Sequence, residues 1–267
     1  MPIIALLTDF STRDSFVAVM KAVMLRICPN VTIIDITHEI PPGAIERGAF
    51  ILRTSFSEFP ENTVFCVVVD PGVGSARKVL AIRSAHYVFV GPDNGILSFV
   101  PIQDSPVIIH ECTNETFFRK PISATFHGRD KFAPVAAHIA SGTPLGEVGP
   151  ICEQIQPLCT NEPFIDGDTL HGVVTYFDRF GNAVTTIPAH LIAGKEKQLQ
   201  CRLRGRVLPF VTHYSAVSAG KPCCLIDSFG FLEIAVNSGC AEKQLDITLG
   251  ERVTVTNARD SVNRDVR

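Results

Sequence analysis

Residues 3–36, IIALLTDFSTRDSFVAVMKAVMLRICPNVTIIDI, contain the unit that decides the fold. Residues 3–7 and 31–36 are apolar runs without polar alternation, which is typical of strands covered on both faces of a parallel sheet. Between them, residues 14–27 carry apolar side chains at helical spacing on one face, and Pro29-Asn30 ends that helix. The stretch therefore predicts a strand, a helix and a second strand parallel to the first.

The same alternation of apolar runs and helical periods continues to about residue 150. It predicts an α/β fold whose N-terminal domain, residues 1–152, is a doubly wound and mostly parallel sheet. The further predicted elements of this domain are strands at residues 63–69, 79–82 and 87–90 and helices at residues 44–56 and 129–140.

The pattern changes after residue 152. Residues 153–167 are polar and interrupted by Pro and Gly, which predicts a linker. Short strand patterns then follow at close intervals with few helical periods, so residues 168–260 are expected to form a smaller all-β domain, a barrel or sandwich. Residues 261–267 are expected to be a tail. The predicted strands are residues 171–177, 183–187, 200–203, 222–226, 231–236 and 252–256.

Composition excludes several classes of function. The chain has 24 Lys and Arg against 27 Asp and Glu, a net charge of −3, so no basic field exists to bind nucleic acid or an anionic membrane. Its apolar runs last only a few residues, whereas a membrane span needs about 20. Its first residues lack a basic, cleavable leader, and its nine cysteines include no Cys-x-x-Cys pair. We therefore expect a cytoplasmic protein with no membrane or nucleic-acid partner.

Polar residues follow the predicted strands where ligands bind in α/β sheets, beyond the carboxyl ends of the strands. Asp9, Asp70 and Asp93 each follow such a strand, and His127 precedes a predicted helix. Each has an ordinary alternative as a turn or helix-terminus residue. Together with Arg77 they form a candidate site, in which Asp70 and His127 handle the proton of a water or hydroxyl and Arg77 fixes charge.

The sequence raises two other possibilities, a nucleotide-phosphate site and a metal site. Gly72-Val73-Gly74 lacks both the Lys-Ser/Thr of a P-loop and the full Rossmann glycine spacing, so a nucleotide-phosphate site is not favoured. Three aspartates and His127 could instead hold a divalent cation that activates water. A metal site is the second hypothesis, because these ligands are not closely spaced in the sequence and the positive charge of Arg77 would oppose a bound cation.

Six motifs occur in an order that resembles the S-adenosyl-L-methionine (SAM) hydroxide adenosyltransferase family, whose relatives include the fluorinase and chlorinase. The similarity runs from residue 6 to about residue 241. The motifs are Leu7-Thr8-Asp9-Phe10, Asp35-Ile36-Thr37-His38-Glu39-Ile40-Pro41-Pro42, Val69-Asp70-Pro71-Gly72-Val73-Gly74, Gly91-Pro92-Asp93-Asn94-Gly95, Phe126-His127-Gly128-Arg129-Asp130 and Phe180-Gly181-Asn182.

The resemblance implies hydrolysis of SAM to adenosine and L-methionine. Water or hydroxide would attack the ribose 5′ carbon, and methionine would leave as a neutral thioether. Because the sulfonium already activates the leaving group, no metal or cofactor is implied, and SAM is the substrate. The family's catalytic set corresponds here to Asp70, Arg77 and His127.

The resemblance also implies a set of substrate-binding residues. Asp9 would accept the ribose hydroxyls, Asp14 and Asp178 would lie near the methionine ammonium, and Asn182 would bind adenine. For Phe180, Tyr214 and Val236, packing in the barrel core is an equal alternative. The remaining expected contacts are Phe126 from the fifth motif, Phe180 beside Asn182, Ser228 at the methionine carboxylate, Glu233, Val236 and Ser238 on the adenine side, and Tyr214 stacked on the base.

Some positions depart from the family pattern. Ser11 replaces a common Gly, Gly43 stands where relatives often have an aromatic residue, and Phe229 stands where halogenating relatives have Arg. The halogenases have Tyr at the position of His127, which favours hydroxide over halide as the nucleophile here. The alternatives are a halide-using SAM transferase and a non-catalytic adenosine- or SAM-binding module.

The resemblance further implies a homotrimer. Each active site would lie between the N-terminal domain of one subunit and the C-terminal domain of its neighbour.

Overall fold

The computed structural model describes residues 1–159, 161–195 and 198–257. The chain divides into two compact units, Met1–Cys159 and Thr160–Arg267. The predicted tail, residues 261–267, and the last three residues of the predicted second domain lie outside the described residues.

The first unit is built on a six-stranded sheet with the order β2-β1-β3-β5-β4-β6. Parallel pairing joins β2, β1, β3 and β5, whereas β4 is antiparallel to both β5 and β6. The predicted doubly wound and mostly parallel sheet is therefore confirmed. The strands are β1 (Ile3–Thr8), β2 (Thr32–Thr37), β3 (Val64–Val68), β4 (Val79–Arg83), β5 (Val88–Pro92) and β6 (Ile108–Glu111).

Helices cover both faces of this sheet, because alternate residues of the central strands point to opposite sides. Ile4 and Leu6 of β1 belong to a core that includes α1, α4 and α5, whereas Ala5 and Leu7 belong to a core that includes α2 and α3. This double coverage explains why the strands are apolar on both faces. The helices are α1 (Phe16–Ile27), α2 (Ile45–Ser55), α3 (Val100–Gln103), α4 (Ala133–Ala140) and α5 (Leu145–Val148).

The second unit is an antiparallel, nearly closed barrel with the strand order β11-β10-β14-β8-β9-β13-β12. Its core is aliphatic and includes Val174, Ile187 and Ile234. The predicted all-β, barrel-like domain is confirmed, with one short helix, α6 (Ala241–Gln244). The strands are β7 (Phe164–Asp166), β8 (Thr169–Phe177), β9 (Ala183–Pro188), β10 (Leu199–Leu203), β11 (Arg206–Leu208), β12 (Pro222–Ile226), β13 (Phe231–Val236) and β14 (Arg252–Asn257).

Three strands were not predicted. β6 and β11 are short, and β7 lies inside the stretch expected to be a linker, where it pairs with β8. A strand of three or four residues is too short for a recognisable period. Across the described ranges, no helix combines the length and apolarity that crossing a membrane requires.

Phe65 provides a test of how the first unit's core is stabilised. Its ring stacks on Phe89 with centroids 4.9 Å apart, and both side chains are fully buried. We expect Phe65→Ala to lower the free energy of unfolding by about 3–5 kcal/mol, because it removes buried area and leaves a cavity. Urea unfolding followed by circular dichroism measures the change.

The matched control is Ile102→Ala, since that side chain is 83% exposed. It should change the same free energy by less than about 0.5 kcal/mol. Equal effects of the two substitutions would contradict this account of the core.

Candidate active site

The three predicted catalytic residues, Asp70, Arg77 and His127, lie at one edge of the first sheet. Asp70 follows β3, which ends at this edge. Because β4 is antiparallel to β5 and Val79 pairs with Pro92, β4 begins at the same edge, and Arg77 precedes it by two residues. His127 lies directly before the π-helical turn Gly128–Phe132 that leads into α4.

Arg77 connects Asp70 to His127. Its Nε–H donates to Asp70 Oδ1 at 2.8 Å, and its Nη2 donates to Asp70 Oδ2, which makes a bidentate ion pair with both side chains buried. Nη2 also lies 2.9 Å from His127 Nδ1. Because a guanidinium only donates, His127 Nδ1 must accept, and this assigns the ring proton of the neutral imidazole to Nε2.

The guanidinium has further interactions and one unused donor. Its Cζ lies 5.1 Å from the centroid of the Phe132 ring, a cation–π contact. Its buried Nη1 has no hydrogen-bond partner among the residues that the structure describes. The group is thus fixed in direction and retains N–H bonds that are not used by the protein.

The loop that carries Asp70 and Arg77 packs closely on the segment before His127. Gly74 has a φ of +83°, and a Cβ at this position would lie 2.6 Å from the Ala124 carbonyl oxygen. Only glycine fits such a left-handed conformation at this approach distance. Gly72-Val73-Gly74 therefore serves to bring the two loops together.

Electrostatics keep His127 neutral. The side chain is buried, and burial lowers the pKa of its imidazole; the positive charges of Lys131 and Arg77 lower that pKa further. Lys131 lies four residues after His127, with its Nζ 5.4 Å from the centroid of the Phe118 ring. The imidazole is therefore unprotonated at neutral pH, in agreement with its role as an acceptor from Arg77.

Asp9 belongs to the same edge. Its Oδ2 accepts the Gly43 N–H at 2.8 Å. Burial raises the pKa of the Asp9 carboxyl, and the charge of Asp70 raises it further, while the hydrogen bond from Gly43 opposes this. The departure from the family pattern at Gly43 has a local explanation, because its φ of +74° lies in a region that favours glycine. Ser11 adopts the same region, with a φ of +57°, without being glycine.

The other predicted contacts of the first unit differ in exposure. Asp14 is exposed just before α1. Phe126 is partly buried and packs edge-on against Phe10 and Phe16, with centroids 5.8 and 5.1 Å away. Arg129 Cζ lies 5.2 Å from the centroid of the Phe126 ring.

Asp93 has a local structural contact. Its Oδ1 accepts the Gln156 N–H at 2.7 Å, and the adjacent Asn94 donates to the Val69 carbonyl at 2.8 Å. Within the described ranges, no three His, Cys, Asp or Glu residues are grouped as metal ligands would be. The residues that the structure describes therefore provide no ligand set for the hypothesis of a metal site.

In the second unit, Asp178 organises the turn that carries two predicted binding residues. Its Oδ1 accepts the N–H groups of Phe180 and Asn182, each at 2.8 Å, and its Oδ2 accepts from Asn182 Nδ2 at 2.9 Å. Asn182 is buried, whereas Phe180 is 75% exposed. Phe180 therefore does not pack in the barrel core, which was the alternative to a binding role for this residue.

Glu233 and Tyr214 form a pair. The Tyr214 hydroxyl donates to Glu233 Oε1 at 2.9 Å. Glu233 is only 3% exposed, and burial raises its pKa to about 7, with the charges of Asp178 and Asp227 acting in the same direction. This carboxyl therefore changes its charge state near neutral pH.

The remaining predicted residues of this unit separate into core and surface. Val236 packs in the barrel core, which was the alternative to a binding role for this residue. Ser228 and Ser238 are exposed. Tyr214 is partly exposed and is not part of that core.

Two further carboxylates shape these loops: sequence reasoning missed Asp227, and it assigned no site role to Asp130, which lies in the fifth motif. Asp227 Oδ1 accepts the N–H groups of Phe229 and Phe231 and so forms the turn that presents Ser228. Asp130 is fully buried, accepts from Arg119 and Arg129, and fixes the turn after His127. The Asp-Ser-Phe-Gly sequence at residues 227–230 is a turn signal that could have identified Asp227.

Lys131 allows the charge state of His127 to be tested directly. Removing its positive charge with Lys131→Met removes a repulsion that disfavours the imidazolium, so the pKa of His127 should rise. A histidine NMR titration of the purified protein measures it. Lys120→Met, which removes an exposed Lys paired with Glu115, is the matched control and should leave this pKa unchanged. An unchanged or lower pKa in Lys131→Met would contradict the electrostatic account.

Comparisons with known proteins match both units of the chain to one family. Residues 4–149 match the SAM hydroxide adenosyltransferase N-terminal domain, and residues 172–254 match the C-terminal domain. An (R)-S-adenosyl-L-methionine hydrolase of Salinispora tropica is 37% identical over 260 residues, covering 96% of this chain and 98% of the relative. A fluorinase of an Actinoplanes species is 32% identical, over 96% of this chain and 98% of the relative.

A solved structure is also similar. The crystal structure of an uncharacterized conserved protein from Thermotoga maritima superposes with a TM-score of 0.89 at 37% identity, covering 95% of this chain and all of that one. The family models together cover most of the chain, and they match the two units in order. The chain belongs to the SAM hydroxide adenosyltransferase family.

Proposed function

We propose that this protein hydrolyses SAM to adenosine and L-methionine without a metal or other cofactor. The observation that carries the proposal is the contact of Asp70, Arg77 and His127 at the edge of the sheet, in a chain whose relatives at 35–37% identity are named SAM hydrolases. Its charge balance and nine free thiols suit a cytoplasmic enzyme.

The substrate determines what the site must supply. The sulfonium of SAM leaves the ribose 5′ carbon as a neutral thioether, so departure of methionine needs neither a general acid nor a Lewis acid. The reaction instead needs a water molecule that is aligned with the breaking carbon–sulfur bond and a group that takes its proton.

The catalytic residues suit that task. His127 Nε2–H donates to the attacking water and fixes the position of its oxygen. Asp70 takes the proton, because its carboxylate has about four lone-pair sites and Arg77 uses two of them. The oxygen becomes far more acidic as the carbon–oxygen bond forms, so a carboxylate is a sufficient base at that stage. Arg77 holds the Asp70 carboxylate in the direction from which it accepts this proton.

A halide-using transferase is the second candidate, because fluorinases are also related to this chain. A halide has no proton to lose and needs no proton acceptor. The buried combination of a carboxylate, a guanidinium donor and a neutral imidazole therefore favours water as the nucleophile.

The binding roles follow the resemblance. Asp9 accepts the two vicinal ribose hydroxyls, a pairing suited to the two oxygens of a carboxylate. Asp14 and Asp178 lie near the methionine ammonium, Asn182 binds adenine, and Ser228 binds the methionine carboxylate. Phe126, Phe180, Tyr214, Glu233 and Ser238 line the remainder of the substrate site, whereas Val236 belongs to the barrel core.

We also propose a homotrimer in which the catalytic unit of one subunit and the barrel of its neighbour share each substrate. The large exposed side chain of Phe180 and the exposed Ser228 support this assignment, because binding residues that meet a neighbouring chain are exposed in a single copy.

The reaction is tested by incubating the purified protein with SAM and a chelator and separating the products by chromatography. Wild type should form adenosine and L-methionine in equal amounts. Asp70→Asn and His127→Ala should each lower the rate at least about 100-fold, because the first removes the proton acceptor and the second removes the donor that positions the water. Asp246→Asn is the matched control, since that carboxylate is almost fully exposed, and it should retain the wild-type rate.

Each other result selects an alternative. Halo-adenosine formed with added chloride or fluoride would select the transferase, and tight SAM binding without product would select a binding module. Activity lost in chelator and restored by a divalent cation would select a metal-dependent hydrolase. Unchanged rates in both catalytic variants would overturn the catalytic assignment.

The shared site is tested by coexpressing two inactive variants, His127→Ala and Ser228→Glu, the second of which repels the methionine carboxylate. Random mixing of subunits should restore about one quarter of the wild-type activity, because one quarter of the sites pair an intact His127 with an intact neighbouring Ser228. Each variant alone is the control. No recovery in mixed trimers would show that the site does not combine two subunits.

A further inference from the structure

The segment from Asp35 to Pro42 is one of the six sequence motifs, and the proposed chemistry does not use it. Its His38 is 4% exposed and lies between two other polar side chains. His38 Nδ1 is 2.8 Å from Thr8 Oγ1, and His38 Nε2 is 3.0 Å from Asp35 Oδ1. Lys21 Nζ lies 2.6 Å from the other oxygen of Asp35. The imidazole therefore lies between the Thr8 hydroxyl and the Asp35 carboxylate.

His38 is connected to the backbone on both sides of Asp9. Thr8 is fully buried, and its Oγ1 accepts the Phe10 N–H at 3.3 Å. The His38 carbonyl accepts the Ser11 N–H at 2.7 Å. A hydroxyl has one proton and two lone pairs, so Thr8 can contact the imidazole and the Phe10 amide together. The residues before and after Asp9 thus depend on His38.

Asp9 needs such an anchor. Burial and the nearby Asp70 both oppose its negative charge, and Ser11 adopts a left-handed conformation with a φ of +57°. The carboxylate is also fixed by the Gly43 N–H, which comes from the segment that His38 begins. Without His38, repulsion and backbone strain would favour a different direction of the Asp9 side chain.

We propose that His38 is a positioning residue that, through Thr8 and its own carbonyl, holds the Asp9 carboxylate in the direction required by the vicinal hydroxyls of a ribose. This inference rests on the proposed function, since it concerns the nucleoside part of the same substrate. A His38 that only stabilised the core would affect all ligands equally. A positioning role acts on the ribose hydroxyls and spares ligands that lack one of them.

The test compares adenosine with 2′-deoxyadenosine, using isothermal titration calorimetry on the full chain. Thr8→Val, which keeps the shape and removes the hydroxyl, and His38→Leu should each weaken adenosine binding roughly tenfold, the effect of losing one well-placed hydrogen bond. Binding of 2′-deoxyadenosine should change by less than about twofold. Thr8→Ser, which restores the hydroxyl, should recover adenosine binding.

The matched control is Thr63→Val. Thr63 is also buried, and its hydroxyl donates to the Pro60 carbonyl at 2.7 Å just before β3, at the end of the strand opposite to Asp70. This variant removes a buried hydroxyl away from Asp9 and should bind both nucleosides as wild type does. Equal losses for the two nucleosides in Thr8→Val, or no loss, would overturn the role of His38.

Hydrogen exchange provides a readout that needs no ligand. The Phe10 amide should exchange faster in Thr8→Val, which removes its hydrogen-bond acceptor, and in His38→Leu, which removes the imidazole that holds that acceptor. It should exchange at the wild-type rate in Thr8→Ser. Unchanged exchange of the Phe10 amide in the first two variants would overturn the anchoring. Wild type that neither binds adenosine nor hydrolyses SAM would overturn the proposed function and the ribose assignment together, whereas an intact wild type without the selective loss overturns only the role of His38.

Discussion

The bidentate contact between Arg77 and Asp70, extended to His127 Nδ1, is the interaction on which the candidate site depends. It neutralises a buried guanidinium, fixes the direction of the carboxylate and selects one tautomer of the imidazole. Each of these groups would be costly to bury alone. The fold provides the contact through one antiparallel strand, because β4 begins where the parallel strands β1, β3 and β5 end.

The elements of the fold were largely predictable, because strands covered on both faces and one-sided helices leave clear periods in the sequence. The direction of β4 was not predictable, because a strand between two neighbouring strands is apolar on both faces whichever way it runs. The predicted helix at residues 129–140 begins as a π-helical turn, Gly128–Phe132, before α4. Apolar residues at close to helical spacing do not distinguish these two conformations. β6, β7 and β11 are too short to show a period.

The candidate site was predictable where side chains follow strand ends, as Asp9 and Asp70 do, because chain position alone places them at one edge. The roles of residues that act on other residues were not predictable in this way. His38 and Asp227 also follow strand ends and Asp130 lies in a motif, but each holds a turn through hydrogen bonds to residues distant in sequence or to backbone amides, which the sequence does not show. The substrate could be inferred only from the resemblance, since a carboxylate, a guanidinium and an imidazole serve many reactions.

The charges of both units suit a substrate with two cationic groups, the sulfonium and the ammonium of SAM. In the first unit, Arg77 is compensated by Asp70, and His127 is kept neutral by burial and by Lys131, so Asp9 supplies negative charge without a competing imidazolium. In the second unit, burial raises the pKa of Glu233 to about 7, and the charges of Asp178 and Asp227 act in the same direction. A cation close to that carboxyl would favour its ionisation, so binding of the cation and loss of the Glu233 proton would reinforce each other. Hydrolysis of SAM converts the sulfonium into a neutral thioether, so the substrate carries one positive charge more than its products.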